Sequence, residues 1–414
     1  MKFKGACALL LGSALVGIGF VSVTPAHAAP PQTMSREVAL KLQAAQNDIF
    51  KTPNYTAAVG LLDQVAAMPA SKRTPYADHV LNQLYVGVYE KTNNYAKLAP
   101  AIEALMNDSF ATPQQTAQLT PALAQIYYQL KNYPKAIQFG TVALQRGYPA
   151  RGLRVLVGQA YYLNKDWRGT IEYERDLVAR EVKAGQKPTK QSLQLVQSSC
   201  QQLHDDPCLL DAVQQLILYY PTQQYWQYLL AQVFNTVKSD SNLLQTYRLA
   251  FEIGVLKRPH DFTTYAELAI EASDPGEAEQ VMTAALKNNM FADPHEKAKA
   301  ERILADAKRK AAKDLAGGLG STAEAAALQK TGDSDVRVGL AYFGYQQYDK
   351  AVNEIQQGIA KGGLAKPAEA HLLLGVAQLK AGHKNAALRS FGRVKGDPTL
   401  ARLAALWSLK ARSA

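Results

Sequence analysis

Hydrophobic residues recur at helical spacing along almost the whole chain, and polar turns separate the hydrophobic stretches. One such face is formed by Leu209, Leu210, Val213, Leu216 and Ile217. It stops at Tyr220-Pro221, and a second helical face opens at Trp226. Spacing of three and four residues is typical of amphipathic helices, and no alternating stretch is long enough to indicate a sheet. The pattern therefore predicts an all-α protein.

Short polar turns that end in an aromatic residue recur along this helical pattern. They are Asn54-Tyr55, Asn94-Tyr95, Asn132-Tyr133, Asp166-Trp167 and Gln347-Tyr348. The first four aromatic residues are 40, 38 and 34 positions apart, a spacing typical of helical-hairpin repeats. A hairpin leaves one apolar face uncovered, so successive hairpins are expected to stack.

Small residues stand at fixed distances from these turns. Three positions after the aromatic residue the chain has Ala58, Leu98, Ala136, Thr170 and Ala351. Nine positions before it the better copies have Ala124, Gly158 and Gly339, whereas the first two copies have Gln46 and Val86. Small side chains at both positions allow two helices to approach closely, and the neighbouring aromatic rings fill the space around that contact.

Three segments resemble tetratricopeptide repeats: LAQIYYQLKNYPKAIQFGTVAL, VGQAYYLNKDWRGTIEYERDL and VGLAYFGYQQYDKAVNEIQQGI. The resemblance implies an all-α superhelix of TPR-like hairpins, an α-solenoid, that ends in a C-terminal TPR pair. It also implies that the first helix of each hairpin lines a partner-binding groove, where we expect Gln125, Tyr128, Gln159 and Tyr162. The corresponding C-terminal residues are apolar, so this face either docks a hydrophobic helix or, as we expect, is covered by this chain: Leu340, Phe343, Val376 and Leu379.

The domain organisation follows from the N-terminus and from one glycine cluster. Lys2 and Lys4 precede an apolar run, and Pro25-Ala26-His27-Ala28 has the form of a cleavage site. We therefore expect a signal peptide at 1–28, with a retained anchor as the alternative, and a periplasmic or secreted mature protein without a later membrane span. A superhelix is predicted over 36–292, a charged helix and glycine-rich linker over 293–321, and the C-terminal pair over 322–414.

The positive charge is concentrated at the C-terminal end. The whole chain carries a formal charge of +11, and the segment from Lys361 onward has ten basic residues but only Glu369 and Asp397 as acids. A local positive potential attracts anionic partners, although a solvated cap is the simpler interpretation. The candidate basic patch consists of Lys380, Lys384, Arg389, Arg393 and Lys395. Nucleic acid is not expected as a partner of an exported protein that lacks a nucleic-acid-binding motif.

Cys200 and Cys208 are the candidates for covalent chemistry. Together with His204 they have spacings that a metal could use, but Asp205-Asp206-Pro207 interrupts the helix between them. A disulfide, free buried thiols and a metal site remain open, and the oxidising compartment favours the disulfide. The aromatic residues near 219–228 could bind a sugar or a peptide, or could pack between repeats: Tyr219, Tyr220, Tyr225, Trp226 and Tyr228.

No enzyme signature is found. His295-Glu296 lacks the second histidine of a zinc-protease helix, and Gly317–Gly320 follows a helix rather than a strand. We therefore predict no catalytic residues, no cofactor and no metal. The leading hypothesis is a scaffold that binds proteins or peptides of the cell envelope in the repeat groove. The alternative is a module for an anionic envelope polymer or glycan, bound through the basic end or the aromatic cluster.

Overall fold

The computed structural model describes residues 32–148 and 151–413, and within them all regular structure is helical. The all-α prediction is thus confirmed, whereas the predicted signal peptide at 1–28 lies outside the described residues. None of the described helices combines the length and apolarity needed to cross a bilayer.

The α-helices are α1 Arg36–Phe50, α2 Tyr55–Ala66, α3 Pro75–Lys91, α4 Tyr95–Met106, α5 Pro113–Gln129, α6 Tyr133–Gln145, α7 Arg151–Leu163, α8 Trp167–Lys183, α9 Lys190–Gln202, α10 Asp206–Tyr219, α11 Gln223–Phe234, α12 Asp240–Ile253, α13 Pro259–Glu271, α14 Pro275–Lys287, α15 Pro294–Gly317, α16 Leu319–Ala327, α17 Asp333–Gly344, α18 Tyr348–Lys361, α19 Pro367–Lys380, α20 Lys384–Phe391 and α21 Pro398–Ser413.

The two helices of a hairpin begin with different capping residues. The first helices α3 and α5 start at Thr-Pro, where Thr74 and Thr112 accept a backbone hydrogen bond and proline occupies the first helical position. The second helices α2, α4 and α6 start at Asn-Tyr, where the asparagine side chain accepts the bond. The recurring asparagine is therefore a helix cap, because it satisfies a backbone N–H that has no partner inside the helix.

The turn inside most hairpins passes through one residue in the left-handed backbone conformation. Its φ lies between 51° and 61° at Asn93, Lys131, Lys165, His204, Ser273 and Gln346. In each case the next residue lies directly before the second helix. His204 and Ser273 belong to α9–α10 and α13–α14, which the sequence pattern matched poorly. The shared turn geometry identifies these two pairs as repeats of the same kind.

Small residues allow close helix approach, as predicted. A β-carbon added at Gly339 would lie 3.1 Å from the backbone oxygen of Ala351, in the hairpin formed by α17 and α18. The first hairpin differs from the prediction, because Ala45 is buried there and Gln46 is exposed. Its turn is one residue longer: the N–H of Asn54 bonds to Asp48, six positions back, whereas Asn94 bonds to Tyr89, five positions back.

The described chain forms two compact units. Unit 1 comprises the residues up to Arg180 together with Ser198–Leu203, and unit 2 comprises Glu181–Gln197 and the residues from His204 onward. The core of unit 1 is built mainly from the inward faces of α1 to α6. In unit 2 one continuous core extends from Val213 on α10 to Trp407 on α21.

The predicted domain boundaries stay predictions, and the segment from 293 onward falls within unit 2. The helix α15 packs on α13 and α14 through buried small side chains at Ala300, Ala307 and Ala311, so the predicted linker region lies inside unit 2. The glycine cluster is mostly helical, with a break at Gly318 alone, whose φ is 75°. The last helix, α21, packs against α10, α12, α19 and α20. These contacts tie the C-terminal pair to the start of unit 2.

Candidate partner-binding faces

The predicted groove residues lie on one face of unit 1, which we call the first-helix face: Gln125 and Tyr128 on α5, Gln159 and Tyr162 on α7, and Ser198 on α9. All four predicted side chains are half-buried. The Tyr128 hydroxyl donates a hydrogen bond of 3.0 Å to Oε1 of Gln159. The Tyr162 hydroxyl lies 2.7 Å from Oγ of Ser198. Each tyrosine therefore connects its own first helix to the next one.

The tyrosine rings also pack within their own hairpins. The Tyr128 ring meets Tyr133 edge-on at 5.8 Å, and the Tyr162 ring meets Trp167 edge-on at 5.1 Å. Burial, and then the neighbouring Tyr133, raises the pKa of Tyr128 above its ordinary value. Both tyrosines are consequently part of the repeat packing. Gln125, in contrast, makes no side-chain hydrogen bond to any of the described residues.

The equivalent positions of α3 are Gly87 and Glu90, which have different chemistry. Phe50 at the end of α1 lies over Gly87 of α3, where an added β-carbon would be 3.0 Å from its ring. One turn after Gly87 stands Glu90, whose pKa is raised by burial. The first-helix face of unit 1 thus presents amides, phenols, a carboxylate and one exposed phenyl ring.

The equivalent face in unit 2 is covered by the chain itself. Phe343 and Val376 are buried in the unit 2 core. The helix α12 lies over this face, with the Arg248 guanidinium 5.7 Å from the centre of the Phe343 ring. An ion pair of 2.9 Å joins Lys380 to Glu252, and Ser241 donates to Glu369 at 2.8 Å. The apolar strip expected from the sequence is therefore an internal interface.

A buried polar cluster lies beneath α12 and was not found from the sequence. Arg248 bonds to both carboxylate oxygens of Glu277, at 2.8 and 3.1 Å from Nε and at 2.6 Å from Nη2. The Tyr265 hydroxyl donates to Glu277 at 2.7 Å, and Asp274 lies 3.5 Å from Nη2 of Arg248. The turn pattern could have located Asp274 as a helix cap, but no local signal points to Arg248, 26 positions earlier.

The charges in this cluster do not balance unless one acid is protonated. Burial, and then the charge of Glu277, raises the pKa of Asp274 well above its ordinary value. Burial also acts to raise the pKa of Glu277, but the charge and hydrogen bonds of Arg248 outweigh it and lower that pKa. The arrangement favours a neutral Asp274 beside an ionised Arg248–Glu277 pair. All four side chains are buried, so the cluster has a packing role.

The predicted basic patch separates into two kinds of residue. The ammonium group of Lys380 already has partners within unit 2: it pairs with Glu252 and lies 5.8 Å from the centre of the Tyr348 ring. The other four residues are exposed, and none forms an ion pair with a described acid: Lys384, Arg389, Arg393 and Lys395. Cations available to a ligand are thus concentrated on and just after α20.

The cysteines flank a helix break, as the sequence indicated. Cys200 lies near the end of α9 and Cys208 in the first turn of α10, whose cap is Asp205. Both cysteines are disulfide-bonded, and their pairing with each other stays a prediction. Among the described residues no group of three histidine, cysteine, aspartate or glutamate side chains could hold a metal ion.

The aromatic residues near 219–228 have packing roles. Trp226 is buried in the unit 2 core, and Tyr225 and Tyr228 pack against it. The Tyr220 hydroxyl donates to the Pro188 backbone oxygen at 2.7 Å. Among these five aromatic residues, no rings are stacked in an arrangement that could bind a sugar.

A histidine–carboxylate pair in unit 1 joins α3 to the segment that follows α4. Nδ1 of His79 lies 2.8 Å from Asp108, and Nε2 lies 2.9 Å from the side-chain amide of Gln83. Both ring nitrogens are occupied and the side chain is buried. A general base needs a nitrogen that can reach a substrate, so this geometry is typical of a structural histidine.

Comparisons with known proteins find matches among solved structures only. No model of a known family matches this sequence, and no curated protein matches it. A tetratricopeptide repeat protein from Parabacteroides merdae is similar at 11% identity, with 80% of this chain and 98% of that one covered and a TM-score of 0.26. Yeast Tom70 is similar at 9% identity, 91% and 96% coverage and a TM-score of 0.22.

The Cut9–Hcn1 hetero-tetramer of the APC/C is similar at 13% identity, 87% and 86% coverage and a TM-score of 0.20. These values are too low for any property of those proteins to be transferred. The tetratricopeptide-like hairpin fold is established by the repeated turns, caps and close helix contacts within this chain.

Proposed function

We propose that the protein is a non-catalytic scaffold of the cell envelope that binds extended peptide segments of other proteins on the first-helix face of unit 1. The observation that carries the proposal is the amide of Gln125, which makes no hydrogen bond to a described residue and lies in a row of half-buried polar side chains. Amide and phenol groups can both donate and accept hydrogen bonds, so they can pair with a peptide backbone of any sequence.

The contrast between the two units supports this choice of face. In unit 2 the residues at the same repeat positions are apolar, and α12 covers them. In unit 1 the corresponding residues are polar and half-buried. A polar face retains its hydration until a partner arrives, whereas an apolar strip of similar size is usually covered. The envelope location rests on the signal-peptide pattern of residues 1–28.

The test is photo-crosslinking in the native cell, with a photoreactive residue placed at Gln125 and, as a matched control, at Gln138. Gln138 is an exposed glutamine on the second helix α6. We expect discrete crosslinked proteins from position 125 in the periplasmic or secreted fraction and none from position 138. Equal labelling from both positions, or crosslinks only to cytoplasmic proteins, would contradict the proposed face or location.

The recognised peptide can then be titrated against variants. Gln125→Ala should weaken binding by roughly three- to tenfold, since one hydrogen bond contributes about 0.5–1.5 kcal/mol. Gln138→Ala should leave the affinity unchanged. The double substitution Tyr128→Phe/Tyr162→Phe keeps both rings in place and separates the role of the hydroxyls from that of the packing.

A further inference from the structure

A cavity in unit 2 has features of a ligand site on the side away from α12. Its volume is about 380 Å³, near the lower end of the range of about 300–1,000 Å³ found for small-molecule sites. It lies between α18, α19 and α20, and its lining is Gln356, Ile359, Ala360, Leu374, Gln378, Ala386, Arg389, Ser390 and Arg393. We call it the α20 pocket.

The floor of the α20 pocket is a preorganised polar group. Gln378 and Ser390 are buried, and Oγ of Ser390 donates a hydrogen bond of 2.7 Å to Oε1 of Gln378. This bond fixes the orientation of the amide and directs its N–H groups away from Ser390. No described side chain accepts from those N–H groups. Ile359, Leu374 and Ala386 supply an apolar wall beside this donor.

The rim of the pocket is positively charged. Arg389 and Arg393 are exposed, and neither forms an ion pair with a described acid. No carboxylate occurs among the lining residues. The charge of Arg393 acts on its surroundings: the pKa of His371 is lowered, chiefly by burial and then by Arg393. Two arginines therefore line one cavity whose lining contains no carboxylate.

We propose that the α20 pocket binds a phosphate monoester whose organic part is small and apolar. Guanidinium groups bind oxyanions through paired hydrogen bonds, and two of them match the charge of about −1.5 to −2 that a phosphate monoester carries near neutral pH. A carboxylate would leave one guanidinium unmatched. The apolar wall accommodates the organic part, and the Gln378 amide donates to a phosphate oxygen.

The assignment is independent of the proposed peptide-binding face. The pocket lies in the other unit and is formed by different repeat positions. Loss of peptide binding through Gln125 would leave it intact, and the reverse also holds.

The test uses isothermal titration calorimetry on the full mature chain with phenyl phosphate as the probe. Two double variants remove the same amount of charge: Arg389→Gln/Arg393→Gln inside the pocket, and Lys384→Gln/Lys395→Gln outside its lining. We expect the arginine variant to bind about a hundredfold more weakly and the lysine variant to bind within about twofold of the unaltered protein. Equal losses in both would show a diffuse charge effect and overturn the proposal.

Two further variants separate folding from recognition. Arg389→Lys/Arg393→Lys keeps the charge but loses the paired geometry, and it should bind at least about tenfold more weakly with an unchanged circular dichroism spectrum. Ala386→Phe should fill the cavity and abolish binding without a change in charge. Full affinity in either variant would contradict the pocket.

A second binding experiment distinguishes a soluble phosphate monoester from the phosphate headgroup of a lipid. Vesicles of phosphatidylcholine that contain phosphatidic acid present the same group on a lipid, and vesicles of phosphatidylcholine alone are the control. Arginine-dependent binding to phenyl phosphate supports a soluble ligand, and arginine-dependent binding only to the acidic vesicles supports a lipid headgroup. Failure of both probes with the unaltered protein would overturn the proposal.

Discussion

At the residue scale, the helix-capping position of the turn is a neutral asparagine in some repeats and an acidic residue in others. Asn94 and Asn132 cap α4 and α6 through a neutral side chain. Asp274 caps α14 in the same way, but it is fully buried beside Arg248 and Glu277. An acid in this place costs free energy when it is ionised, because Glu277 already neutralises the guanidinium.

Replacing Asp274 by asparagine should therefore change the pH dependence of stability. The pKa of Asp274 is raised in the folded chain, so the folded chain retains a proton that the unfolded chain has lost. Stability from this group is complete below the ordinary aspartate pKa, near 4, and is lost as the pH rises through the raised value. D274N cannot titrate and keeps the cap. Its stability relative to the unaltered protein should increase as the pH rises above about 4, where the unfolded chain begins to lose the proton.

Urea unfolding of both proteins at several pH values measures this difference. The other titrating groups are common to both chains and cancel in the comparison. Parallel curves would mean that Asp274 is ionised in the folded chain, and a uniformly unstable D274N would mean that its contact with Arg248 dominates.

At the element scale, the left-handed residue in the turn decides where the second helix begins. Most repeats use a residue with a side chain there, and the turn before α20 uses Gly382, with a φ of 85°. L-residues other than glycine are disfavoured in this conformation by about 1–2 kcal/mol. The repeats therefore tolerate strain at this point, where the following cap and the hairpin contacts hold the turn.

Two alanine substitutions should act in opposite directions. Gly382→Ala should destabilise the protein by about 1 kcal/mol, because its φ is positive although nothing lies within 4 Å of an added β-carbon. Gly60→Ala, within α2, meets equally open space at an ordinary helical φ and should stabilise by about 0.5–1 kcal/mol. Urea unfolding midpoints measure both effects. A stabilising Gly382→Ala would show that the backbone at this turn is free to change.

At the scale of the whole molecule, unit 2 is held together by contacts between its two ends. The last helix α21 packs against α10 and α12. Side chains of α12 contact Phe343 on α17 and both Glu369 and Lys380 on α19. The C-terminal pair thus buries its apolar side against helices far earlier in the chain, since Arg248 precedes Phe343 by 95 positions. Contacts between residues so far apart in the sequence cannot be predicted from the repeat period, because the period indicates only which hairpins are adjacent in the chain.

A chain of residues 322–414 alone should therefore not fold as the intact protein does. It retains α21 but lacks α10 and α12, so it would expose side chains that these two helices cover in unit 2, including Phe343. We expect it to aggregate or to unfold without a cooperative transition, whereas residues 181–414 should unfold cooperatively. Circular dichroism during urea titration and size-exclusion chromatography compare the two. A monomeric, cooperatively folded 322–414 fragment would support the boundary predicted from the sequence.

The amino-acid sequence alone determined the helical class, the hairpin repeat and most helix starts. These features are local: spacing of three and four residues, an asparagine or threonine cap, and small residues at fixed distances from a turn act within one hairpin. The four residues predicted for the groove share repeat positions, and their role in binding a partner stays a prediction. Their hydrogen bonds were not predictable, since Tyr128 and Gln159 meet only when two hairpins stack.

Tertiary structure alone decided what each repeated face contacts. It buried Arg248 with Glu277, assigned Lys380 to Glu252, and brought Arg389 and Arg393 to one cavity with Gln378. The basic C-terminal end was visible from composition, but composition does not distinguish a lysine paired inside the unit from an arginine open to a ligand. The physical reason is that burial and pairing depend on residues far apart in the chain, whereas helix and turn formation depend on neighbours.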